Sequence, residues 1–141
     1  MDATDLSRLA DAIGHAVAPT FLLGATAAFV SLLMGRFNGI LDRVRYVNLI
    51  DEQDPERGHL KSDLPRLKKR ARLINDAILA AVASAACTVA LVILSFGSAL
   101  LGFRHEPGVA IMFILALVLF GASLISLGRE VQIALTDYDF A

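Results

Sequence analysis

The residues of this chain that could take part in acid–base, nucleophilic or metal chemistry are few and scattered. His15 is the only histidine inside a long apolar run, where an imidazole could bind a ligand or carry a proton. It also stands near the end of that run, where it would simply reach headgroups or water. Cys87 is the single cysteine and is expected to be a packing residue. With no paired carboxylates in an apolar run, no nucleophile–base pattern, no phosphate loop and no metal-ligand spacing, the sequence predicts a non-enzyme without cofactor or metal.

Most polar side chains of interest instead flank the ends of the apolar runs. Arg36 follows the first run, Asp76 precedes the second, and Glu130 comes two residues after the third. We expect these ends to meet at one membrane surface and to form a juxtamembrane polar cluster. Its candidate members are Arg36, Asn38, Asp42, Arg43, Arg45, Arg70, Arg72, Asn75, Asp76 and Glu130.

Specific pairs follow if the segments next to the membrane are in register. Arg36 and Asn38 are then expected near Asn75 and Asp76. Asp42 is expected near Arg70 or Arg72, and Glu130 is expected to pair with Arg36, Arg43 or Arg72. The alternative for Glu130 is a solvated charge at the end of a span.

The elements that position these residues are set by three runs without Asp, Glu, Lys or Arg. The runs cover residues 12–35, 77–103 and 107–128 of a chain that is 56% apolar and 19% charged. A membrane span needs roughly 20 apolar residues. The sequence therefore predicts an all-α membrane protein with three transmembrane helices. The predicted boundaries are an outer segment 1–12, span 13–35, polar segment 36–76, span 77–101, outer turn 102–108, span 109–128 and tail 129–141.

The polar segment is expected to contain helical extensions of the first two spans. Apolar residues recur at helical spacing from Phe37 to Val47, and a heptad-like series runs from Leu60 to Ile78. Asp51–Gly58 is a polar turn with proline and glycine. These patterns predict a cytoplasmic antiparallel helical hairpin. In the first span, Pro19 is expected to kink a continuous helix near His15.

Basic residues indicate the orientation. Ten of the 13 Lys and Arg residues lie in 36–76, which places that segment in the cytoplasm by the positive-inside rule. The N-terminus is then outside and the C-terminal tail cytoplasmic. Basic residues beside the bilayer attract anionic lipid. The segment's seven acids reduce its charge to +3 (10 minus 7), so nucleic acid is not an expected partner.

Small residues recur along one face of the first span, at intervals of three and four. This small-residue face comprises Thr20, Gly24, Ala27, Ser31 and Gly35. Small residues let membrane helices approach closely, which favours a self-associating structural or accessory module of a membrane assembly, as a homo-oligomer or with partner membrane proteins. The alternative is a homo-oligomeric ion or small-solute channel, with this face as the pore wall and Arg36, Asn38 or Asp42 as a cytoplasmic ring.

The chain resembles an uncharacterised family of small three-span bacterial membrane proteins, a domain of unknown function. The resemblance rests on Ala18–Leu23, Arg36, Asp42–Arg45, Arg70–Asn75 with Ala77–Ile78, and Arg129–Glu130. It implies the bacterial inner membrane as location, the three-span architecture and the juxtamembrane polar cluster, and it implies no activity.

Overall fold

The computed structural model describes residues 2–103 and 106–139, and within these ranges every regular element is a helix. Helix α1 comprises Ala3–Asn48, α2 Leu64–Leu101 and α3 Glu106–Asp139, and a short 3₁₀ helix, Gly58–Asp63, precedes α2. Each of the three α-helices is long and apolar enough to cross a membrane. A backbone in hydrocarbon must satisfy its own hydrogen bonds, which a helix does within one segment. The predicted all-α fold with three helices that can span a membrane is confirmed.

Helix α1 is continuous through Pro19 and through the end of the first uncharged run. Residues 3–12, which the sequence suggests as a separate outer segment, form the first turns of the same helix. Because Pro19 has no amide hydrogen, the carbonyl of His15 lacks its usual helical donor. The next carbonyl, that of Ala16, accepts a bond from the Thr20 hydroxyl at 2.7 Å.

Residues 49–63 connect α1 to α2 in the middle of the polar segment. The carboxylates of Asp51 and Asp54 each accept a hydrogen bond from the amide two residues further on, at 3.1 and 2.9 Å. Gly58 is needed here because a Cβ at this position would lie 2.8 Å from the carbonyl oxygen of Glu52. Both helices therefore extend beyond the uncharged runs. That these extensions form a cytoplasmic antiparallel hairpin stays a prediction.

Helix α2 ends at a glycine in the left-handed conformation. Gly102 has φ +76°, and the amide of Phe103 donates to the carbonyl of Ser98 at 3.1 Å. This is the pattern of a Schellman cap, which uses a C-terminal carbonyl of the helix and stops it. Residues 104 and 105 of the predicted outer turn lie outside the described residues.

The chain divides into two compact units, of which the first comprises Met1–Phe29 and Ala81–Gly121. Small residues contribute much of its interior: Ala81, Ser84, Thr88 and Ala116 are buried, together with Leu91. The Ser84 hydroxyl donates to the Ala116 carbonyl at 2.6 Å. Such a short contact requires close approach of α2 and α3, which the small side chains permit.

The second unit comprises Val30–Ala80 and Ala122–Ala141. The apolar series of the two extensions supply its interior: Ile40 and Val47 on α1 are buried, as are Leu67 and Ile74 on α2. Residues 129–139, most of the predicted tail 129–141, are helical and continue α3. This continuation places Glu130 inside a helix, with its side chain held on one helix face.

Candidate functional site

Glu130 lies at the centre of the site. Among the described residues it is the one charged side chain that is fully buried, with 0% of its surface exposed. A buried carboxylate loses several kcal/mol of hydration unless charged donors replace the water. Its donors must therefore come from the neighbouring helices.

Arg36 of α1 supplies two of these donors. Its Nε lies 2.9 Å and its Nη2 2.6 Å from the same carboxylate oxygen, Oε2 of Glu130. The arginine side chain keeps 35% of its surface exposed. The pair of Arg36 and Glu130, one of the three predicted for this carboxylate, is present in the structure.

Arg70 of α2 engages the other oxygen. Its Nε and Nη2 both lie 2.9 Å from Oε1 of Glu130, and its side chain is 18% exposed. One helical turn earlier, Arg66 Nη2 donates to the carbonyl of Ile133 at 3.2 Å, one turn after Glu130 on α3. The two arginines thus bind α2 to α3 at successive turns. We call Arg36, Arg70 and Glu130 the Glu130 cluster.

The contact between α2 and α3 follows a seven-residue spacing. Ala77 stands seven residues after Arg70 on α2, and Ser123 stands seven residues before Glu130 on α3. The Ser123 hydroxyl donates to the carbonyl of Ala77 at 2.6 Å. A further seven residues along α2, Ser84 makes the same type of bond in the first unit. A seven-residue repeat keeps one seam of a helix facing its neighbour. Ser123 was not singled out from the sequence, although its seven-residue spacing from Glu130 could have indicated it.

The other candidate members of the juxtamembrane polar cluster lie on exposed faces. These are Asn38, Asp42, Arg43, Arg45, Arg72, Asn75 and Asp76. Asp42 pairs with Arg45 on its own helix at 3.7 Å, rather than with Arg70 or Arg72 as expected. The second arginine on Glu130 is Arg70, and neither Arg43 nor Arg72 takes that place.

Helix phase explains these differences. On α2, Arg70 stands three residues after Leu67 and four before Ile74, both buried, so it shares their inward face. Arg72 is rotated away from that face and is exposed. On α1, Arg36 stands four residues before the buried Ile40, whereas Asp42 falls between the inward positions.

The small-residue face of α1 has members in both units and is exposed in each. All five of its residues are exposed, and a Cβ added at Gly24 or Gly35 would meet no atom within 4 Å. On α2, by contrast, Ala77, Ala81, Ser84 and Thr88 are buried inside the chain. The two sets of small residues therefore differ in burial.

The Glu130 cluster joins residues of three helices. Both oxygens of Glu130 are occupied by arginine donors, so the carboxylate is engaged in structure. Within the described residues, no group of three His, Cys, Asp or Glu side chains lies together in a way that could hold a metal ion. His15 is exposed on α1 and lines a cleft in the first unit.

Comparison with known proteins places the chain in a family. No curated protein and no solved structure matches it. The family described as "Protein of unknown function (DUF2721)" matches residues 16–140, which is most of the chain and includes all three members of the Glu130 cluster. The resemblance to an uncharacterised family is thereby confirmed, and the chain belongs to the DUF2721 family.

Proposed function

We propose that this protein is a self-associating structural or accessory module of a membrane assembly. The observation that carries the proposal is the exposed small-residue face of α1, which has open space above Gly24 and Gly35. In lipid, helices gain little from apolar burial alone, and close packing of small residues is a main source of association. A second copy of α1 would pack on this face at Gly24 and Gly35.

The Glu130 cluster supports this function by holding the module in shape. It joins residues of α1, α2 and α3 within the second unit through bonds between opposite charges. Charged groups confined in this way resist sliding of one helix along another, because sliding would leave a charge unpaired. The helix that carries the interface is thus fixed to its two neighbours.

We propose that the second unit faces the cytoplasm of a bacterial cell, with the N-terminus outside the inner membrane. The support is the concentration of basic residues in 36–76. Exposed Lys68, Lys69 and Arg72 at the start of α2 are then available to anionic headgroups. The function we propose is one of binding, without catalysis.

The alternative is a homo-oligomeric channel lined by the same face of α1. Its expected cytoplasmic ring includes Arg36, which in the structure is bonded to Glu130. The Thr20 hydroxyl likewise donates within its own helix. These contacts favour a packing surface over a pore wall, and the same oligomer can be tested for both.

The test compares Gly24→Leu and Gly35→Leu with Ala25→Leu, measuring the oligomeric mass in detergent and in lipid nanodiscs. Ala25 is also exposed on α1 but lies about a quarter turn or more away from the small-residue face. A Cβ at either glycine would meet no atom within 4 Å beyond its own stretch of helix. We therefore expect a shift from oligomer to monomer for the two glycine variants at unchanged monomer stability, and no shift for Ala25→Leu.

A monomeric wild-type protein, or equal effects of all three variants, would contradict the proposal. Ion flux in liposomes separates the two functions. Flux through the wild-type oligomer that Ser31→Trp abolishes would establish the channel. An oligomer without ion flux would support the structural module.

A further inference from the structure

The first unit contains a cleft of about 700 Å³ between the N-terminal part of α1, the C-terminal part of α2 and the start of α3. Pro19 and Leu91 are its buried floor, and His15, Phe103 and Ala110 are exposed at its rim. Its volume lies within the range of about 300–1,000 Å³ that is usual for small-molecule sites. The cleft is therefore large enough to hold a ligand.

The wall of the cleft is largely apolar. One of its few polar groups, the backbone carbonyl of His15, can accept a hydrogen bond from a ligand. The Ser98 hydroxyl already donates to the carbonyl of Ser95 at 3.0 Å. The carbonyl of His15 has lost its helical donor, because residue 19 is proline. A carbonyl without a donor in a low-dielectric site costs free energy, which a ligand with an N–H or O–H group would recover.

We propose that the cleft binds one membrane phospholipid, with an acyl chain on the apolar wall and a donor-bearing headgroup at the His15 carbonyl. The walls belong to helices that can span a membrane, so the medium around the cleft is lipid. Phosphatidylethanolamine fits this chemistry because its ammonium group carries N–H donors. Phosphatidylcholine carries the same phosphate and chains but has three methyl groups in place of those donors.

The cleft stands apart from the small-residue face. Lipid binding here is independent of self-association, and it assigns a role to Pro19 and His15 that the proposed function does not use. In the proposed orientation the bound lipid belongs to the outer leaflet.

The experiment measures lipid retention by native mass spectrometry after delipidated protein is given phosphatidylethanolamine or phosphatidylcholine with identical chains. We expect about fivefold stronger retention of phosphatidylethanolamine, the equivalent of one net hydrogen bond. Pro19→Ala restores the amide donor to the His15 carbonyl and should reduce this preference to about one. Ala110→Phe fills the cleft and should abolish retention of both lipids.

Ala122→Phe is the matched control, since Ala122 is exposed on the same helix but does not line the cleft. It should bind lipid as the wild type does, and both phenylalanine variants should keep the wild-type oligomeric mass. Equal loss in the two variants, or no retained lipid in the wild type, overturns the proposal. Equal retention of the two lipids overturns the assignment of the headgroup. Loss of oligomer in Ala110→Phe without any bound lipid would show that a second copy covers the cleft instead.

Discussion

Replacing Glu130 by glutamine tests whether the buried charge holds the three helices together. The substitution keeps the size of the side chain but removes the only negative charge of the Glu130 cluster. Each carboxylate oxygen accepts from one arginine. Two nitrogens of Arg36 lie 2.6 and 2.9 Å from Oε2, and two nitrogens of Arg70 each lie 2.9 Å from Oε1. Glutamine has a single acceptor oxygen, so one guanidinium must lose its partner. Two positive charges would then share a site without a counter-charge.

The expected cost follows from burial. Removing one partner from a buried ion pair typically destabilises a protein by about 3–5 kcal/mol. Arg70 is 18% exposed and keeps little water, but Arg36 is 35% exposed and can be partly hydrated. We therefore expect the lower end, about 3 kcal/mol. For a chain of this size that corresponds to a melting temperature lower by about 6–12 °C.

The assay is thermal unfolding in detergent, followed by circular dichroism. Asp42→Asn is the matched control, because Asp42 is 76% exposed and its contact with Arg45 is 3.7 Å long. A surface pair of this type contributes at most about 1 kcal/mol. If Glu130→Gln melts at the same temperature as Asp42→Asn, the cluster does not hold the helices and the reasoning fails.

Three further predictions concern residues of the second unit. Exchanging the charges in Arg70→Glu with Glu130→Arg should recover only part of the stability that Glu130→Arg loses, as measured by a double-mutant cycle, because Arg36 then faces a second positive charge. Ser123→Ala should cost about 1 kcal/mol in thermal unfolding, because it removes a buried hydroxyl bond of 2.6 Å. Gly58→Ala should lower the melting temperature, because its Cβ would lie 2.8 Å from a backbone oxygen, whereas Gly128→Ala, with open space, should not.

The helices could be predicted from the sequence because the information lies in length and charge. Three uncharged runs that each exceed the thickness of a bilayer require helices, whatever their neighbours. The pairing of Glu130 with Arg36 was also within reach, since both residues stand just beyond the end of a run. The membrane surface brings such ends to a common level. No knowledge of helix rotation is needed for that inference.

The choice between Arg70 and Arg72 required more than the order of residues. Two positions along a helix differ by about 200° of rotation, so one arginine faces inward and the other outward. The buried residues Leu67 and Ile74 indicate the inward face, but only if the phase is applied to the charged residues as well. The predicted contacts used only the distance of each residue from the end of its apolar run and took no account of helix phase. The same omission misplaced Asp42.

The direction of the small-residue faces could not be predicted for a different physical reason. In water, the apolar face of a helix turns inward because water drives it there. In lipid, both faces are apolar and that force is absent, so small and polar residues carry the information on packing. Ser84 and Ser123 face inward because a carbonyl of the neighbouring helix receives each hydroxyl. The Thr20 hydroxyl bonds within its own helix and is exposed, but the buried Thr26 and Thr88 make the same intrahelical bond, so that bond alone does not indicate the packed face. In this chain, a hydroxyl that donates to a carbonyl of another helix therefore marks a face that packs within the chain.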